Sequence, residues 1–255
     1  MPAARRLLVA LGLVLALLAG CSDDGAAERT PGDAITSQEA EVLAGLLYRD
    51  FQEGGADFVL TAPYAEGTVL TLTGQVDFAR QIGTATAVTT FGDGRPDDSR
   101  TLWFDPDEIW FGDVPGLTDA LAAQGRPGIS VMRRPIVTQA GGSASLVDVL
   151  VQLVPRLSAR TADDPRAILE RDYTWQGQRS IDGQLAVDYR TGSGATVSVA
   201  ASSQLLLQYV TPLPQQDFSV TITLSDHGSR EITLPAEDQT VAAADYPDVA
   251  GRLGV

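Results

Sequence analysis

Residues 68–78 read TVLTLTGQVDF, and their side chains alternate in character with a period of two. Leu70, Leu72, Gly74, Val76 and Phe78 fall on one face, and Thr71, Thr73, Gln75 and Asp77 on the other. Such alternation requires a β-strand with one face buried and one in water, the signature of antiparallel sheets. The same period runs through Leu185, Val187 and Tyr189, through Val197 and Val199, and through Phe218, Val220, Ile222 and Leu224. Turn formers punctuate the runs at Gly92-Asp93-Gly94, Asp105-Pro106-Asp107, Asp182-Gly183 and Gly192-Ser193-Gly194. Short strands between close turns make a hairpin-linked meander, with about nine to eleven strands expected between Asp57 and Pro235. The continuous apolar runs of a parallel sheet are missing, as are GxGxxG and Walker-type loops, which argues against a doubly wound nucleotide-binding fold.

Helices interrupt this pattern in three places. Thr36 and Glu39 have capping-box spacing, Leu43, Leu46, Leu47 and Phe51 form a helical stripe, and Gly54-Gly55 ends it. Further helical material is expected at residues 116–124 and 143–171. Within the latter lies SLVDVLVQLVP, residues 145–155. At 100° per residue, Ser145, Asp148, Gln152 and Arg156 share an arc of about 80°, and the apolar residues cover roughly 200°. An ordinary surface helix needs an apolar stripe of only a little over 100°. This helix therefore has two apolar flanks, and Pro155 bends or ends its last turn. One flank belongs on the sheet. The other faces either a neighbouring helix in a dry core or a cavity for an apolar ligand.

The N-terminus sets the compartment. Arg5 and Arg6 precede an apolar run too short to span a bilayer, as in a signal peptide over residues 1–20. The run ends in Leu18-Ala19-Gly20-Cys21, which resembles the lipobox of bacterial lipoproteins. That resemblance implies a diacylglyceryl thioether on Cys21, cleavage before it, and a lipid anchor on the extracytoplasmic face of the cell membrane. Cys21 is the only cysteine, so an internal disulfide is impossible in this exported chain. Residues 22–34 are aperiodic and rich in Asp, Gly, Ala and Pro. They read as a tether with an r.m.s. reach of roughly 20 Å. Residues 35–250 then form one domain, with 251–255 as a tail. From Cys21 onward 16 Arg face 33 acids, and Lys is absent, so the charge is −17. No basic stripe is available for nucleic acid.

Together, the lipobox, the tether, the capped helix, the long meander and the central apolar helix resemble the LolA-like superfamily, in particular the actinobacterial LppX/LprG-type lipoproteins. The likeness rests on Thr71-Leu72-Thr73-Gly74-Gln75-Val76-Asp77, on the aromatic hairpin TLWFDPDEIWF, and on Ile232-Thr233-Leu234-Pro235 followed by Tyr246-Pro247. It implies an α+β fold: a curved antiparallel half-barrel whose concave face is closed by helices around a cavity for lipid or glycolipid acyl chains. It also implies a carrier in the cell envelope; the other reading is an accessory or sensor lipoprotein that binds an envelope protein partner. On this resemblance the cavity candidates are Leu146, Val147, Leu150, Val151, Leu153, Val154, Leu70, Leu72, Phe104 and Phe111. Large residues at 70–78 would fill such a cavity as readily as line it. Arg133 and Arg134 are candidates for a phosphate head group, against the plainer reading that they pair with neighbouring acids.

Little else in the chain points to chemistry. His227 is the only histidine and sits in the turn-like SDHGSR, where a solvated ring is expected. No GxSxG elbow accompanies it, and one His with one lipidated Cys cannot assemble a zinc site. The acidic loops Asp93, Asp97, Asp98 and Asp105, Asp107, Glu108 lack the spacing of a calcium loop and read as solvated hairpin tips. No enzyme, cofactor or metal is expected.

Overall fold

A computed structural model describes residues 29–137, 145–213 and 218–252. The signal peptide, the lipobox with Cys21 and most of the tether lie outside the described residues. Residues Pro31–Val255 make up one compact unit.

Helix α1 (Ser37–Glu53) opens this unit, and its capping box is formed: Thr36 Oγ1 accepts the Glu39 N–H at 3.2 Å while Glu39 Oε2 accepts the Thr36 N–H at 2.8 Å. Gly54 ends it in the left-handed conformation, which an L side chain would resist. Six strands follow as a meander: β1 (Gly55–Ala65), β2 (Thr68–Asp77), β3 (Ile82–Phe91), β4 (Asp98–Phe104), β5 (Glu108–Phe111) and β6 (Val131–Pro135), with α2 (Leu117–Ala123) between β5 and β6. After α3 (Leu146–Leu153), a 3-10 turn at Pro155–Leu157 and α4 (Pro165–Leu169), a second meander runs from β7 to β11. Its strands are β7 (Thr174–Ile181), β8 (Gln184–Arg190), β9 (Thr196–Ala200), β10 (Leu206–Pro212) and β11 (Ser219–Ser225). The three-residue β12 (Thr240–Ala242) and α5 (Pro247–Arg252) complete the chain.

All twelve strands join one open, curled sheet in the order β12-β6-β5-β4-β3-β2-β1-β11-β10-β9-β8-β7. Every pairing is antiparallel except β12 with β6. The expected α+β half-barrel is therefore present, with the short parallel β12 beyond the nine to eleven strands that alternation alone reveals. Topology explains where the helices go. The β6–β7 connection must carry the chain from one side of the sheet to its far edge, and α3 and α4 lie along that crossing. Leu150, Val151 and Val154 pack with Ile168 and the buried sheet residues in one apolar core.

One cross-strand row shows how that core is filled. Leu224, Phe58, Gly74, Ala85, Leu102, Phe111 and Met132 are consecutive partners from β11 to β6. All but Gly74 belong to the buried core. Phe104 lies across Gly83, where a Cβ would stand 2.1 Å from its ring, and meets Phe58 edge-on with centroids 6.5 Å apart. Edge-to-face packing suits the aromatic quadrupoles. The Gly83 gap is thus occupied by Phe104, and the row across this half of the sheet is buried.

Candidate functional site

The other half of the sheet is not filled. A cavity of about 710 Å³ lies between α1, the end of α3, α4 and strands β9–β10. Leu43, Ala44, Leu46 and Leu47 of α1 form one wall. Leu153, Leu157, Ala159 and Ile168 form the second, and Val197, Leu206 and Tyr209 of the sheet the third. The space remains because α4 is short and three of these side chains (Leu47, Leu153 and Tyr209) are only half-buried. Polar residues gather at the exposed rim: Arg156, Thr161, Asp163, Arg171, Asp172 and Ser193, with Tyr173 and Thr191 just inside. A pocket of several hundred Å³ with apolar walls and a few polar groups at one end is the usual form of a site for a small amphiphile.

Of the ten apolar candidates from the sequence, Leu153 lines this cavity. Leu70, Leu72, Phe104, Phe111, Leu150, Val151 and Val154 are buried members of the packed core, and Leu146 and Val147 pack against it half-buried. Periodicity identified inward-facing positions: Leu72 and Phe111 are buried in the core but do not line this cavity. The walls formed by Leu206 and Tyr209 carry no sequence signature of their own. The nearest signal is the absence of any charged residue from 191 to 213.

Arg133 and Arg134 are engaged elsewhere. Arg133 Nη1 lies 3.1 Å from Glu108 Oε2 and 3.2 Å from Glu237 Oε1. Arg134 Nη1 meets Asp148 Oδ1 at 2.7 Å, with Asp148 only 1% exposed, and its guanidinium stacks 5.4 Å over the Phe111 ring. Asp148 Oδ2 also accepts the Val137 N–H at 3.3 Å. Asp148, in the polar stripe of α3, is therefore satisfied inside the protein, which lets the helix carry apolar residues on both flanks. Ser145 caps the helix through the Asp148 N–H, and the turn at Pro155 is 3-10 rather than α. Neither Arg133 nor Arg134 is among the residues lining the cavity.

His227 differs from its expected place in a solvated turn. Its side chain is 8% exposed and packs beside Asp50, with Nε2 3.7 Å from Asp50 Oδ1. That separation is too long for a hydrogen bond. Burial lowers the His227 pKa and raises that of Asp50 to about 8. Near neutral pH both groups are therefore uncharged, and they do not form an ion pair. Asp50 Oδ1 accepts the Leu206 N–H at 3.2 Å, so the pair stands directly behind the Leu206 wall. Buried acid–imidazole pairs can serve in catalysis, but here both side chains are turned away from solvent, and neither Asp50 nor His227 lines the cavity.

Among the described residues no group of three or more His, Cys, Asp or Glu is arranged to hold a metal, and no helix is long and apolar enough to cross a membrane. No family model matches the sequence, and no curated protein matches it. Among solved structures, LprF from Mycobacterium bovis aligns over 80% of this chain and 98% of its own, at 14% identity and a TM-score of 0.44. An uncharacterized conserved protein from Thermus thermophilus aligns over 81% of this chain and 98% of its own, at 9% identity and a TM-score of 0.37. A putative outer membrane lipoprotein-sorting protein domain from Vibrio parahaemolyticus aligns over 75% and 92%, at 11% identity and a TM-score of 0.22. At these identities and TM-scores the alignments carry neither a family nor a function over to this chain.

Proposed function

We propose that this protein is a lipid-anchored, extracytoplasmic envelope protein that shelters an acyl chain in the cavity between α1, α4 and β9–β10. The observation that carries the reading is the cavity itself: about 710 Å³, leucine-walled inside and polar at the rim. A methylene is close in size to a water molecule, which takes up about 30 Å³ in the liquid. The volume therefore accommodates roughly two dozen such groups, enough for one long acyl chain and part of its head group. Each methylene moved from water into the cavity contributes about 0.8 kcal/mol, so a single chain supplies micromolar or better affinity after the cost of ordering it. Arg156, Arg171 and Ser193 stand where a head group would emerge. No step of bond making is assigned; the activity is binding and delivery.

Leu153→Trp tests the site. The larger side chain, on a half-buried position of the wall at the edge of the core, displaces acyl volume without replacing a fully buried residue. Titration with a fluorescent fatty acid should show saturable binding to the wild type and at least tenfold weaker binding to Leu153→Trp, with unchanged melting. Equal binding by both proteins would place the ligand elsewhere. A wild type that binds no acyl probe removes the lipid reading in favour of a sensor or accessory protein.

A further inference from the structure

The described chain enters the fold at the rim of the cavity. The Gly32 N–H donates to the Trp175 carbonyl at 2.8 Å, the Trp175 N–H donates to the Asp33 carbonyl at 2.8 Å, and Ala34 bridges to Thr174. These contacts extend the edge of β7 and place the entry point beside Tyr173, Asp172 and Arg171 of the rim. The segment between Cys21 and that point is about ten residues, with an r.m.s. reach of roughly 17 Å. An anchor on Cys21 would thus hold this rim, rather than the opposite end of the strands, near the bilayer.

Charge distribution favours the same face. From residue 156 to 213, which includes α4, β7–β10 and the whole rim, six Arg balance six acids. The rest of the chain from Cys21 onward holds ten Arg against 27 acids and so carries the entire −17. An anionic bilayer repels acidic surface by about 1 kcal/mol per charge close to it; residues 156–213 carry no net charge, so the acids that face this cost near the rim are the four of residues 22–34, set against Arg29. Next to the wall residue Ile168, Leu169 is a large apolar side chain left 43% exposed. An exposed leucine beside guanidinium groups suits the interface of a phospholipid leaflet.

We infer that the cavity rim, comprising α4 with Leu169, Arg171–Tyr173 and Thr191–Ser193, is a membrane-docking surface through which the cavity exchanges its acyl ligand with the bilayer. The inference rests on the lipid-binding reading for its purpose but on separate observations for its geometry.

The test uses residues 21–255 with Cys21→Ser and an N-terminal hexahistidine, held on vesicles of phosphatidylcholine, phosphatidylglycerol and a nickel-chelating lipid. Cys21 is the only native cysteine, so one introduced thiol takes one environment-sensitive fluorophore. Ser193→Cys reports on the rim, and Ser202→Cys, in the turn at the other end of β9, reports on the opposite strand end. Docking predicts blue-shifted emission and several-fold stronger quenching by brominated acyl chains at position 193 than at 202, and Leu169→Glu should abolish the difference. Equal, aqueous signals at 193 and 202 would overturn the proposal, as would a difference that survives Leu169→Glu. Binding of a fluorescent fatty acid in vesicle-free solution is measured in parallel. Binding in solution without quenching at 193 removes the docking surface and leaves the lipid site. Quenching at 193 without acyl binding does the reverse.

Discussion

Replacing Asp50 by Asn should make this protein more stable as the pH rises, and the size of the effect follows from the site. Asp50 is fully buried, accepts one hydrogen bond from the Leu206 N–H, and has no partner for Oδ2. Desolvation is the largest influence on it and raises its pKa from 3.8 to about 8, while Glu53 adds a smaller push and Arg49 a smaller pull. The folded protein therefore keeps a proton that the unfolded chain releases above pH 3.8, and stability falls as pH rises until about 8. The His227 pKa is lowered by burial below its ordinary 6.5, so its own slope has the opposite sign, fades as the unfolded ring loses its proton above pH 6.5, and is common to both proteins. From pH 6.5 to 8 Asp50 alone sets the difference, at about 1.4 kcal/mol per pH unit or about 2 kcal/mol in all. Asn keeps the acceptor for Leu206 and cannot ionise. Urea or thermal unfolding of both proteins across this window should show the advantage of Asp50→Asn growing by about 2 kcal/mol, equivalent to roughly 4–8 °C in Tm for a domain of this size. A difference that stays constant with pH, or shrinks as pH rises, would refute the assignment of a buried neutral carboxyl.

Two further substitutions examine the packing that confines the cavity. Arg134→Met removes the partner of Asp148, which is 1% exposed. It should cost about 3–5 kcal/mol in urea unfolding, with part of the loss recovered by adding Asp148→Leu. Gly83→Ala sets a methyl group against the Phe104 ring. It should destabilise by about 1–3 kcal/mol, and Phe104→Leu in the same chain should relieve part of that strain.

Much of the fold was legible because strand periodicity and capping are local. The alternation at Leu70–Phe78 and at Phe218–Leu224 reappears as inward faces of β2 and β11, and the Thr36–Glu39 box forms as spaced. The parallel pairing of Thr240–Ala242 with Val131–Arg133 is a tertiary event between segments far apart in sequence, and three residues are too few to show a period. The site was less legible for a related reason. Alternation tells which side chains point inward at Leu72 or Phe111 but not how much of the space they face is already filled. Phe104 fills the space over Gly83 and meets Phe58 edge-on, while a cavity opens along Leu43 and Leu47 of α1 beside Val197 and Tyr209. Asp148 was legible as part of the helix's polar arc, but its burial on Arg134 was not. His227 read as a turn histidine and is held against Asp50 by the return of the chain after β11.

The most direct test of the lipid reading is native mass spectrometry of the full-length protein purified from its own envelope in a mild detergent. The account predicts a bound species of one acyl chain's mass class, with extraction yielding a stoichiometric lipid, and its loss in Leu153→Trp. Protein recovered only in the ligand-free mass, with no extractable lipid beyond the anchor itself, would contradict it.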